Sequence, residues 1–125
     1  MSRWIVHAAV ELTASHALTS YRGEPEELHT HRWRVEVRAA TTALNAEGYA
    51  LDFHALRAVL AEAAAPLDGT CLNDHPGIGD PSPTAERIAL HLARRLEPEV
   101  ASLGGRLLSV SVWEGPGNRV DLELE

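Results

Sequence analysis

The chain has 125 residues, 45% of them hydrophobic and 23% charged, and its 18 acidic against 11 basic residues leave a formal net charge of -7. That length suits one domain, residues 1–125, able to bury a core without disulfides; the single cysteine, Cys71, excludes an intrachain disulfide and any cysteine-rich zinc or iron–sulfur site. The acidic balance, with arginines scattered along the chain, argues against a nucleic-acid partner, and no run of about 18 apolar residues offers a membrane span. The opening "MSRWIVHAAVEL" is broken by His7 and Glu11 and lacks the apolar stretch of a signal peptide, so the cytoplasm is the expected compartment.

From Trp4 onward, Val6, Ala8, Val10, Leu12 and Ala14 alternate with more polar neighbours, which predicts a strand running to about His16. A polar stretch with Gly23 and Pro25 follows, longer than a tight turn. A second alternation sets Trp33, Val35, Val37 and Ala39 against Arg32, Arg34, Glu36 and Arg38, so one face of that strand is solvated. Phe53, Leu56, Leu60, Ala63, Ala64 and Leu67 then follow helical spacing after Asp52 as N-cap, predicting a helix from Phe53 to about Ala65.

The glycine- and proline-rich stretch "GTCLNDHPGIGDPSP" reads as an irregular surface connection. Ser82 as cap and Pro83 at the first helical position predict a second helix with Ala85, Ile88, Ala89, Leu92 and Leu96 on one face, ending near Glu97. "RLLSVSVWEGPGNRVDLELE" is two alternating runs around a Gly-Pro-Gly-Asn turn, a hairpin. The order ββααββ implies an α+β domain: a four-stranded antiparallel sheet with both helices on one face.

Side chains two apart on a strand share a face, so His29 and His31 project together and continue the apolar row of Trp33 and Val35. His16 continues the buried row of the first strand. If the two strands pair antiparallel, three imidazoles converge at one end of the sheet, and three neutral nitrogens with an open position make a catalytic zinc site. The same histidines also fit ordinary polar residues at strand ends, and periodicity does not choose between the two. Glu114 ends the row Leu108, Val110, Val112, as a strand-end carboxylate or as an anchor for paired N–H donors. Cys71 reads as a small buried hydrophobe without a nearby base, His7, His54 and His91 as surface residues, and His75 is left open.

Six segments in order, "ELTASHAL", "LHTHRWRVEV", "GYALDFHALRAVL", "LDGTCLND", "PSPTAERIA" and "VSVWEG", resemble the 6-pyruvoyltetrahydropterin synthase and 6-carboxytetrahydropterin synthase family. The resemblance implies the tunnelling fold (T-fold) and a zinc ion on His16, His29 and His31. It further implies a pterin ring held by Glu114, with Thr84 lining the pocket, and a homo-oligomer, typically a hexamer of two trimers, with pockets at subunit interfaces. The chain departs from the family where its catalytic cysteine and histidine would stand, at Pro25 and Gly69, and keeps Asp68 of the Asp-His relay; Thr30 replaces the glycine between the two ligands. Some relatives use a glutamate near the missing cysteine, and strand parity with His29 and His31 favours Glu27 over Glu26 as the acid or base. The implied activity is a zinc-dependent lyase acting on dihydroneopterin triphosphate, and the alternative is a non-catalytic relative that binds a pterin or purine.

Overall fold

The computed structural model describes residues 2–125. Strict alternation makes Trp4–His16 the first strand, β1, with Val6, Ala8, Leu12 and Ala14 buried on one face and Glu11 and His7 exposed on the other. The second strand, β2, covers His29–Thr41, and its row Trp33, Val35, Val37 and Ala39 has no exposed surface at all. β1 and β2 pair antiparallel in unbroken register from Trp4↔Thr41 to His16↔His29.

Helix α1 spans Phe53–Ala64; the Asp52 side chain accepts from His54 N at 2.8 Å, and a single 3₁₀ turn, Ala65–Leu67, extends the helix. Phe53, expected in its apolar stripe, is 64% exposed, because the buried face begins only at Leu56. Helix α2 spans Ala85–Ser102 and differs from expectation at both ends. Its cap is Thr84, whose Oγ1 accepts from Arg87 N at 3.1 Å, while Ser82 Oγ instead accepts from Thr19 N at 3.0 Å. It also runs past Glu97 through Pro98, because Leu96 and Val100, one turn apart, are both fully buried and their packing outweighs the proline penalty.

β3 (Arg106–Glu114) and β4 (Arg119–Glu123) form the closing hairpin, and the sheet order is β1-β2-β3-β4, antiparallel throughout. Gly115 turns the chain with φ 71, a conformation glycine adopts without steric cost. A bulge at Arg38/Ala39 shifts the β2–β3 register by one residue, so Leu107 rather than Leu108 completes the core row of Val110 and Val112. Ser109 and Ser111 are buried on the opposite face, flanked in register by Arg38 and Glu36 on one side and by Glu123 and Asp121 on the other.

Both helices pack on the face that carries Trp33, Val35 and Val37, and Leu56, Leu60, Leu92 and Leu96 are fully buried between helices and sheet. Each such leucine contributes about 1.5–3 kcal/mol, and truncating Leu92 to alanine would cost roughly 2–5 kcal/mol. No helix among the described residues is long and apolar enough to cross a membrane.

Candidate metal centre

The β1–β2 register sets the site. Because His16 stands opposite His29, and His31 lies on the same face two residues further along β2, the three rings meet at one end of the sheet. Ring centroids lie 4.6 Å apart for His16–His29 and for His29–His31, and 5.6 Å for His16–His31. Glu114 enters from β3, where it pairs with Trp33, and one ligand atom from each of the four residues lies within 4.8 Å of the others.

Trp33 forms the floor: its Nε1 donates to Ala14 O at 3.1 Å, and its ring meets the His16 and His31 rings edge-on at 4.9 and 5.6 Å. His16 is 1% exposed, whereas the side chains of His31 and Glu114 are 29% and 32% exposed, so the cluster is sealed toward the core and open outward.

Backbone carbonyls set the tautomers. His16 Nδ1 lies 2.8 Å from Pro83 O and His29 Nδ1 lies 3.0 Å from Glu27 O, so each Nδ1 carries the proton and donates it. In the neutral rings the Nε2 lone pairs are left free, as histidines that ligate through Nε2 are held. His16 Nε2 and His31 Nε2 are buried without a hydrogen-bond partner, yet they stand 3.4 and 3.3 Å from the Glu114 carboxylate oxygens.

A neutral ring presents lone pairs to a carboxylate at that distance, an arrangement relieved only by a proton or a cation between them. Burial holds His31 below the usual histidine range, against the opposing pull of Glu114, while His29 and His16 lower it further. The donor set of three imidazoles and one carboxylate fits a zinc ion.

The other expected site residues hold separate positions, and neither Glu27 nor Asp68 is a member of this cluster. Glu27 is exposed and contributes its carbonyl to His29, whereas Glu26 is half-buried, its Oε1 accepts from Leu18 N at 3.0 Å, and its charge is felt at His31. Asp68 Oδ1 accepts from Thr13 N at 2.8 Å, tying the outer edge of β1. Thr84 caps α2 next to Pro83, the residue that orients His16. Gly69 has φ 74 and donates its N–H to Thr13 O at 2.7 Å, so its backbone suits glycine better than the histidine that the family pattern places there.

Cys71 Sγ lies 3.8 Å from Asn73 Oδ1, and Cys71 bridges to Ser15. His75 is not among the clustered residues; it packs on His91 with ring centroids 4.7 Å apart. His91, expected on the surface, is half-buried because the loop carrying His75 and Gly77 folds over it. Sequence periodicity did not reveal Asn73, Glu26 or the Pro83 carbonyl as supports of the site; of these only the glutamate had a signal, its place just before the His-x-His pair.

A ββααββ domain with a three-histidine, one-glutamate cluster at the sheet end is a T-fold protein with a metal-type site. Residues 5–125 match the family described as 6-pyruvoyl tetrahydropterin synthase, and the chain belongs to that family. Among solved structures, 6-pyruvoyl tetrahydropterin synthase of Caenorhabditis elegans is similar with a TM-score of 0.83 at 16% identity, covering 100% of this chain and 98% of that one. An uncharacterized protein of Wolinella succinogenes gives 0.79 at 18% identity with 100% of both chains covered. Plasmodium vivax 6-pyruvoyltetrahydropterin synthase, as a variant with a catalytic glutamate replaced by alanine, gives 0.75 at 16% identity, covering 98% of this chain and 99% of that one. At these identities the likeness is one of fold. No curated protein matches the sequence.

Proposed function

We propose that the chain is a zinc-dependent pterin synthase or lyase acting on dihydroneopterin triphosphate, with His16, His29 and His31 as the metal ligands. The observation that carries this reading is the pair of buried, unpartnered Nε2 atoms of His16 and His31 facing the Glu114 carboxylate. When bound, zinc would polarise the side-chain oxygens of the substrate. The Glu114 carboxylate, a third exposed at the open side, would accept paired N–H bonds from the pterin ring, and Thr84 would line the pocket beside it. Glu27 would take a proton from a side-chain carbon of the substrate as general base, with Asp68 assisting in proton transfer.

Two further readings rest on particular residues. Glu26, whose charge is felt at His31 and whose carboxylate is already anchored on Leu18 N, competes with Glu27 for the role of base. A non-catalytic relative that binds a pterin or purine is favoured by Pro25 and Gly69, which stand where the family resemblance places a thiol and an imidazole. A homo-oligomer, a hexamer of two trimers, is part of the proposal: β1 and β4 are open sheet edges, and Trp4, Tyr49 and Phe53 are each more than half exposed near the start of β1. The test is direct. Protein purified with zinc is supplied with dihydroneopterin triphosphate, and triphosphate release or side-chain cleavage is followed. Absence of turnover with the pterin still bound overturns the enzyme reading in favour of the binding one.

A further inference from the structure

Asn73 lies in a single 3₁₀ turn, Leu72–Asp74, in the connection between the two helices. Its side-chain amide is matched to the backbone of Ala17, the residue after His16: Oδ1 accepts from Ala17 N at 2.9 Å and Nδ2 donates to Ala17 O at 2.8 Å. The orientation of the amide is unambiguous, because a backbone N–H only donates and a backbone carbonyl only accepts. The β1–β2 ladder ends at His16↔His29, so Ala17 is the first residue that the sheet no longer holds, and Asn73 satisfies both of its polar groups there.

The same connection grips His16 from two more directions. Ser15 N donates to Thr70 O at 3.0 Å on one side of it in the chain, and the His16 ring donates to Pro83 O. Leu72 and Ile78, both without exposed surface, root the connection in the core. Gly79 backs directly onto Asn73: a Cβ there would lie 2.1 Å from Asn73 O, so only glycine lets the loop close behind the amide.

We infer that Asn73 is a positioning residue for the metal centre, fixing the backbone at Ala17 and through it the direction in which His16 presents Nε2. The inference rests on the metal-site reading proposed above. Outer-shell partners that orient a ligand typically change metal affinity by about 10- to 100-fold when lost. Asn73→Asp is nearly isosteric, keeps the acceptor for Ala17 N, and sets a carboxylate oxygen against Ala17 O where a donor stood.

The experiment is a cobalt(II) titration of the full chain with two variants beside the wild type. Asn73→Asp is expected to bind cobalt about 10- to 100-fold more weakly, with an altered visible absorption envelope. Val100→Ala, which truncates a fully buried side chain near the end of α2 far along the helix from Pro83, is expected to lower thermal stability and keep the wild-type affinity and spectrum. Wild-type affinity and spectrum in Asn73→Asp overturn the inference, as does a loss of affinity that tracks thermal stability equally in both variants. If the wild type itself takes up no cobalt, the metal-site reading fails, and the positioning role is decided on the metal-free protein by the proton NMR signal of His16 Nδ1–H. A shift of that signal in Asn73→Asp with none in Val100→Ala sustains the role, and an unmoved signal ends it.

Discussion

His31 and Glu114 face each other across the β2–β3 boundary, Nε2 to Oε1 at 3.3 Å, with no hydrogen bond between them. The carboxylate is near enough to the ring nitrogens to complete a metal shell and exposed enough to meet a ligand. The two roles separate in Glu114→Gln, which keeps the shape and removes the charge. If three histidines suffice for the metal, zinc content in this variant stays near one per chain while pterin affinity falls about 10- to 100-fold, the loss expected for a charge-assisted bond. Zinc analysis and pterin titration on the same preparation read both. Loss of zinc with pterin binding intact would make Glu114 a fourth ligand instead.

Glu26 and Glu27 are neighbours with different surroundings. The Glu26 carboxylate accepts from Leu18 N and its charge is felt at His31; Glu27 is exposed and lends only its carbonyl to His29. Strand parity would choose Glu27, but β2 begins at His29, so the parity rule does not extend back to these residues. Single replacements by glutamine distinguish them. If Glu27 is the base, Glu27→Gln lowers kcat by about 100-fold or more with KM little changed, and Glu26→Gln leaves kcat within a few fold; the reverse outcome transfers the role.

How far the sequence discloses this site depends on distance along the chain. The alternating rows of β1 and β2 are legible, and since the strands are neighbours, so is the meeting of His16, His29 and His31. Glu114 is legible as an inner-face strand end, but its register against Trp33 is not, because β2 and β3 are joined only through both helices and a bulge intervenes at Arg38/Ala39. The second helix start shows the same limit. Ser82-Pro83 carries a good capping pattern, yet the fold uses the Ser82 hydroxyl for Thr19 and the Pro83 carbonyl for His16, leaving Thr84 to cap. His91 likewise has surface spacing, and it is covered by a loop whose Gly77 admits the ring so closely that a Cβ would sit 2.8 Å from its Nδ1.

The backbone at Gly69 opposes placing an imidazole there by mutation. At φ 74 the residue occupies the left-handed region, and its N–H is committed to Thr13 O. Any Cβ is strained at that φ, and Gly69→His is expected to cost roughly 1–2 kcal/mol. The melting temperature should fall on the order of 5 °C. Thermal unfolding of the metal-free protein measures it, and an unchanged midpoint would show that the turn re-forms around a side chain.

The burial of His91 against His75 predicts a pH-dependent stability away from the candidate metal centre. Burial lowers the His91 pKa from its ordinary 6.5, and His75, Arg95 and Arg94 lower it further, all of them positive or able to become so. His75 Nδ1 accepts from Gly77 N at 3.0 Å, which holds the loop over His91. With its folded pKa below the unfolded value, His91 binds protons more readily in the unfolded chain. Its effect is absent well above pH 6.5; stability falls as pH drops through 6.5, and the loss levels off below the folded pKa. Melting temperatures between pH 7.5 and 5.5, a window of about two units around the ordinary histidine value, should therefore decline. His91→Gln should flatten that decline in metal-free protein, while His54→Gln, at an exposed position on α1, should leave it as in the wild type. Equal slopes in wild type and His91→Gln would place the acid sensitivity elsewhere.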